Sequence, residues 1–434
     1  MSEKIRLGVT RNRLFEFENA VTFCGDFPEE YDSSCGVKAM KMLCAKYPLL
    51  SGVIDICDDG EAYVLTEKVT PVIEEVIASK EIFIADKRRQ GVDFTQALFE
   101  FYVLNGKTLV IFGHTAVSDV RALMILASEF LDFYNRNVIS VEECPVDLFS
   151  EMYDLPSNVF SPVVTRLASD LSIGWQKKTR VFTTEDYKKA RNTYSAQRGE
   201  SYTLSKVLPA SLMEKLSVFG EINSVDISSV VAYCFYESLV NTLGGKLKYK
   251  KLNVQANERL FFDRRLAVGP YNGFVAVNLI GGKSKSASQV ERAVLFHNEI
   301  YKKVTSSFSV FYIEGLCMRL EGAFCDSAHM CSVDEFKHKY SKKLAEIYGC
   351  LNEVAGEFVS LNISQRYWER LRGFSAVFVS EPAKMRASSL VTFVQGENTG
   401  EVTFEFKEKR ISREQGAAIM DKAMSLLEML VKSE

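Results

Sequence analysis

A chain of 434 residues exceeds the roughly 250 to 300 residues at which single cores stop growing, so it reads as two or three domains, and two similar halves fit. Apolar residues make 47 % and charged residues 25 % of it, the balance of an ordinary packed protein, which excludes global disorder. Fifty-three basic against 56 acidic residues leave a charge of −3, too weak a field to favour nucleic acid as the main partner.

From the N-terminus, Met1 to Ala20 carries charges throughout and has no apolar core ahead of a small-residue cleavage site, so no secretory signal is expected. Nor does any run approach the roughly 18 apolar residues of a membrane helix. Ser34 to Lys46 places Val37, Met40, Leu43 and Cys44 at helical spacing; Pro48 closes that segment, and Leu49 to Ile56 reads as a strand. Asp58-Asp59-Gly60 then turns the chain into Ala62 to Leu65. Leu98 to Leu104 and Thr108 to Phe112, joined by Asn105-Gly106-Lys107, predict a hairpin whose second strand is apolar enough to be buried. At Val120 the period changes: Leu123, Leu126, Ala127 and Phe130 recur at three and four residues, the pattern of a helix burying one face. The connector between them, Gly113 to Asp119, is where an α/β fold can present polar side chains to a cleft.

A polar stretch with no apolar period, Gly174 to Arg180, marks the domain boundary and gives halves of residues 1–170 and 180–434. Ser224 to Val240 then reads as a helix opened by Asp226, whose carboxylate can accept first-turn amides. Lys251 to Ala256 and Phe274 to Ile280 read as strands. In the helix Ala287 to Ser306, His297 shares the apolar stripe and reads as a hydrogen-bonded core histidine. Phe374 to Ser380, Ser389 to Val394 and Glu401 to Phe406 predict strands, and Arg413 to Val431 a closing helix.

Ten cysteines without a CxxC pair are the usage of reduced, mostly buried thiols and point to a cytoplasmic protein. Cys317, Cys325, His329, Cys331 and His338 offer zinc-type donors, but at irregular spacing; they read as a helix pair with buried thiols, and no metal is expected. Gly282-Lys283-Ser284 ends like a Walker A loop, yet the required earlier glycine is Val277. Lys283 and Lys285 read as solvated loop charges, with contact to a ligand phosphate as the alternative.

The order strand, connector, helix at Leu109 to Asn135 resembles the signature segment of a large acyltransferase superfamily: peptide-synthetase condensation domains, chloramphenicol acetyltransferase and alcohol acyltransferases. Its hallmark is HHxxxDG, and the residues at those places are His114, Thr115, Ala116, Val117, Ser118, Asp119 and Val120. Lys46-Tyr47-Pro48-Leu49-Leu50 followed by Asp59-Gly60 is similar to a segment upstream of that signature. Asn257-Glu258-Arg259, then Val268-Gly269-Pro270-Tyr271-Asn272-Gly273, resembles the second-half N-x-R and VGxY/F pattern. Val379-Ser380, then Gly400 and Val402 to Phe406 before a last helix, is similar to the family's ending.

The resemblance implies an α/β fold of two chloramphenicol-acetyltransferase-like halves, each a mixed sheet covered by helices, set as a V with a tunnel at the junction. It implies an acyl thioester donor, on coenzyme A or the phosphopantetheine arm of a carrier protein, and an amine or alcohol acceptor; no bound cofactor, membrane or nucleic acid is implied. In the family the second histidine is the general base and the aspartate is structural, which makes Asp119 and Arg259 expected partners, with Gly269 and Tyr271 beside them. Thr115 occupies the base position and has no group basic near neutrality. Val120 replaces the glycine that leaves room in the connector. His114 occupies the place of a structural histidine that supports the connector; it becomes a rescued base if the connector shifts by one residue. Ser118 and Tyr271 are hydroxyl donors to the cleft or, in the plainer reading, a turn residue and a core aromatic. Three functions follow: a condensation-like acyltransferase with an altered base, a degenerate relative that serves as a binding or scaffold partner in specialised metabolism, or different chemistry in the same tunnel.

Overall fold

The computed structural model describes residues 4–136, 138, 140–245, 247, 250–262, 268–279, 286–349, 354–363, 366–382, 387 and 389–432. Lys283, Lys285 and the Gly282 loop lie outside the described residues. The strands in chain order are β1 Lys4–Arg6, β2 Ala20–Asp26, β3 Val53–Ile56, β4 Ala62–Leu65, β5 Ile73–Val76, β6 Phe99–Leu104, β7 Thr108–His114, β8 Ser201–Leu208, β9 Leu252–Asn257, β10 Asn272–Val277, β11 Gly356–Asn362, β12 Ala376–Ser380, β13 Ser389–Gln395 and β14 Gly400–Lys407.

Two mixed sheets carry the fold. One has the order β12-β2-β7-β6-β5, the other β10-β9-β11-β13-β14-β8; β1, β4 and β3 form a small third sheet. The hairpin β6–β7 turns through Asn105 (φ 52°) and Gly106 (φ 64°), the left-handed conformations a type I′ turn needs, closed by Lys107 N–H to Leu104 O at 2.9 Å. Every residue of β7 is buried. The helix Val120–Asn135 covers this sheet, packing on β2 and β7, and its apolar stripe Leu123, Leu126, Ala127 and Phe130 has no exposed surface. Each large side chain so buried contributes roughly 1.5–3 kcal/mol. In the second sheet β11 runs parallel to both β9 and β13. The helix Ile227–Leu243 packs on β11 and β13, with the closing helix Arg413–Leu430 against it.

One strand leaves its neighbours in sequence. β12 pairs antiparallel with β2, from Ala376 opposite Asp26 to Ser380 opposite Thr22, so late sequence completes the edge of the early sheet. Chain periodicity cannot reveal this, because a strand carries no label of the sheet it joins.

Local expectations are corrected at four places. Leu49 to Ile56 is not one strand: Pro48–Ser51 forms a 3-10 turn, closed by Leu50 N–H to Tyr47 O at 3.0 Å and Gly52 N–H to Leu49 O at 3.1 Å, because proline presets φ for a turn. Val37 lies off the buried stripe of its helix, at 69 % exposed, and Gly36, Ala39, Met40 and Leu43 face inward. Gly174 and Trp175 belong to the helix Pro162–Trp175 and are buried there; a side chain on Gly174 would meet Tyr340 at 2.4 Å. Asp226 precedes the helix Ile227–Leu243 without capping it through its side chain; the carboxylate is exposed and lies 3.9 Å from His297.

His297 Nδ1 lies 3.1 Å from Ser229 Oγ. Cys325, His329 and Cys331 share the helix Gly322–Ser332. His329 Nε2 bonds Asn12 O at 2.8 Å, Cys317 Sγ lies 2.8 Å from Tyr348 Oη, and His338 caps the next helix by accepting Ser341 N–H. Among the described residues no group of three His, Cys, Asp or Glu is gathered to hold a metal. Among them, too, no helix is long and apolar enough to cross a membrane.

Candidate active site

The connector His114–Asp119 folds on its own carbonyl. His114 O accepts Val117 N–H at 2.9 Å, Ser118 N–H at 3.0 Å and Ser118 Oγ–H at 3.0 Å. Ser118 is thereby spent on the turn and is buried. The turn is tight enough that a side chain on Gly113 would meet Ser118 Oγ at 2.3 Å. Thr115 N–H is held by Asn19 O at 2.9 Å, while its Oγ1 is buried with no hydrogen-bond partner among the described residues.

Side chains alternate along a strand, so His114 shares the face of Val110 and Phe112, away from Leu109 and Ile111. Its ring stands edge-on to Phe94 at 5.6 Å and is fully enclosed. Nδ1 accepts Ala116 N–H at 3.1 Å, which puts the ring proton on Nε2; that atom is buried without a partner among the described residues. Burial above all, then the positive charge of Arg191, lowers its pKa to about 3, so the imidazole is neutral and faces the protein interior. The β2–β7 ladder runs unbroken from Asp26–Thr108 to Ala20–His114, with no one-residue shift to turn the ring into a cleft.

Asp119 ends the connector and caps the helix Val120–Asn135, its Oδ1 accepting Ala122 N–H at 2.7 Å. Arg259 reaches it from the 3-10 turn Glu258–Phe261 that follows β9, where Asn257 Oδ1 accepts Arg259 N–H at 3.3 Å. The guanidinium meets the carboxylate with two bonds, Nη1 to Oδ2 at 2.6 Å and Nη2 to Oδ1 at 3.0 Å. It also donates to Gly269 O at 3.3 Å and lies 4.8 Å over the Tyr271 ring. A side chain at Gly269 would strike that ring at 2.4 Å, so glycine is needed for the approach. Tyr271 is buried against Phe149 at 5.1 Å, with its hydroxyl donated to Asp147 O.

Around this pair lies a polar network that motif reading missed. Glu381, directly after β12, accepts Val120 N–H at 2.9 Å, Asn272 Nδ2–H at 3.0 Å and Gln255 Nε2–H at 3.1 Å, all on Oε1. Gln255 Oε1 accepts Arg121 Nη1–H at 2.8 Å, and Arg121 Nη2 donates to Ser360 O at 3.1 Å. Arg13 bonds the Asn272 side chain and carbonyl and lies 3.5 Å from Glu314 and 3.9 Å from Glu258. Burial, with Glu314 beside it, raises the Glu258 carboxyl well above its usual range against the pull of Arg13. These residues sit on separate elements, and none carries a local pattern that marks it.

The fold of two mixed sheets covered by helices has solved counterparts. The chain aligns over its full length with 98 % of the epimerization domain from the third module of tyrocidine synthetase B, at a TM-score of 0.64 and 12 % identity. It has the condensation-domain fold. Ninety-nine per cent of it aligns with 98 % of the condensation domain from the Monacolin K polyketide synthase MokA, at a TM-score of 0.63 and 8 % identity. Ninety-six per cent aligns with 92 % of VibH, a nonribosomal peptide synthetase condensation enzyme, at a TM-score of 0.60 and 11 % identity. No protein-family model and no curated protein sequence matches the chain. On this fold, two halves of mixed sheet and covering helices are joined at the connector by the Asp119–Arg259 pair.

Proposed function

We propose that this chain is a condensation-like acyltransferase, moving an acyl group from a coenzyme A or carrier-protein thioester to an amine or alcohol, with a base other than the usual histidine. The observation that supports it most is the two-bond Asp119–Arg259 pair, which holds the connector against the second half with Gly269 and Tyr271 packed around it. An assembled junction keeps the positioning share of catalysis, which holding two reactants in line supplies by itself. The base share, worth about a hundred- to ten-thousandfold, must come from elsewhere. Neither Ser118, bonded within the turn, nor His114, enclosed and neutral, offers it from the connector. His114 supports the connector by accepting Ala116 N–H.

The second reading, a catalytically degenerate binding or scaffold partner in a biosynthetic pathway, draws on Thr115, whose hydroxyl is not basic and is buried. Thiol release separates the two. Acyl-coenzyme A and acyl-phosphopantetheine thioesters are offered with a panel of amines and alcohols, and free thiol and acylated product are both measured. Acceptor-dependent release with matching product supports the transferase. Donor binding without acceptor-dependent release over hours supports the scaffold.

A further inference from the structure

We propose that Glu381 is the proton acceptor of this junction, taking through Oε2 the proton that a histidine at position 115 would take; the assignment rests on the acyl-transfer reading above. Glu381 follows β12, which crosses to the early sheet, and this crossing carries its side chain to where the helix Val120–Asn135 begins beside β9 and β10. Donors from those three elements converge on Oε1, which fixes the plane of the carboxyl. All three donors fall on Oε1, which makes Oε2 the oxygen assigned to take the proton. The backbone is pinned as well, Glu381 O accepting Ser380 Oγ–H at 3.0 Å and Arg88 Nη2–H at 3.2 Å.

The charges facing Glu381 are Asp119 with its partner Arg259, Arg121 from the helix Val120–Asn135, and Arg13 with Glu258 and Glu314; behind its backbone lies Arg88 with Glu405. Burial first, then Asp119, raises its proton affinity, while Val120 N–H, Arg13 and Arg121 oppose, and the pKa settles at about 7. A base with that value is partly ionised at neutral pH and strong enough to accept a proton in a transition state. Val120 N–H ties the carboxyl to the connector itself. Gln255, Arg121 and Ser360 O then link it to a cavity of about 500 Å³ lined by Ser228, Ser360, Asn362 and Gln395.

The step balances without a further reactant. The acceptor nitrogen or oxygen attacks the thioester carbonyl, its N–H or O–H proton passes to Glu381 Oε2, the new C–N or C–O bond forms, the C–S bond breaks, and the proton moves on to the departing sulfur. The test is thiol release against pH, from about 5.5 to 9, on the full chain. We expect a wild-type rate that rises with one ionisation near pH 7. Glu381→Gln should lose about a hundredfold or more in kcat together with that pH limb, at unchanged KM for the donor and unchanged denaturation midpoint. If Glu381→Gln fails to fold, Glu381→Asp, which keeps a carboxyl one methylene shorter, should lower kcat and keep the limb. Full activity and an unchanged profile in either variant would overturn the assignment and leave the transferase standing. A wild type with no acceptor-dependent release would remove the transferase reading and the base with it. Independently of turnover, the carboxyl infrared band lost in Glu381→Gln should titrate near pH 7; a carboxyl ionised throughout the range would also overturn the assignment.

Discussion

Asp119→Ala is the sharpest test of how the junction is held. The aspartate side chain has no exposed surface and Arg259 only 12 %, so truncation strands a guanidinium that stays out of water. Breaking a buried pair from one side costs about 3 to 5 kcal/mol, and loss of the Ala122 cap adds about 1 kcal/mol. Arg259 keeps Gly269 O and the Tyr271 ring, which offsets part of this and places the expected loss near 3 to 4 kcal/mol. The assay is urea denaturation followed by circular dichroism, on Asp119→Ala, Arg259→Ala and the double variant. Two residues in one ion pair couple by about 0.5 to 3 kcal/mol, so the double variant should be less destabilised than the sum of the singles. An Asp119→Ala midpoint equal to the wild type, or additive singles, would refute the reasoning.

On the acyl-transfer proposal, Thr115→His should raise acceptor-dependent thiol release by about a hundredfold or more, since it supplies an imidazole directly after His114 in the connector; no gain would show that the position does not face the acceptor. His114 links stability to acidity. Its folded pKa is depressed from 6.5 to about 3, so its contribution is complete above pH 6.5 and is lost as pH falls toward 3; His114→Gln should flatten the fall of the denaturation midpoint over that window, and parallel curves would argue against an enclosed neutral ring. Gly269→Ala drives a methyl into the Tyr271 ring and should cost about 1 to 3 kcal/mol, with a changed near-ultraviolet tyrosine signal.

The helix Val120–Asn135 and the hairpin before it were legible because their signals are local. A 3.6-residue apolar period survives any tertiary context that buries one face, and Asn105-Gly106 demands a left-handed turn wherever it occurs. The family resemblance also brought Asp119, Arg259, Gly269 and Tyr271 into one hypothesis although Asp119 and Tyr271 stand 152 residues apart in the chain. Tertiary structure decided the rest. Whether His114 faces a cleft or the interior depends on strand register, since one residue of slip reverses every side chain. The sheet that β12 joins depends on which edge is open when the late chain arrives. Glu381 becomes a candidate base only through its surroundings: a lone glutamate after a strand is an ordinary surface residue until the fold removes water from it, aims three donors at one oxygen and sets Asp119 nearby. A proton affinity is the sum of such distances and burials, and no stretch of sequence contains them.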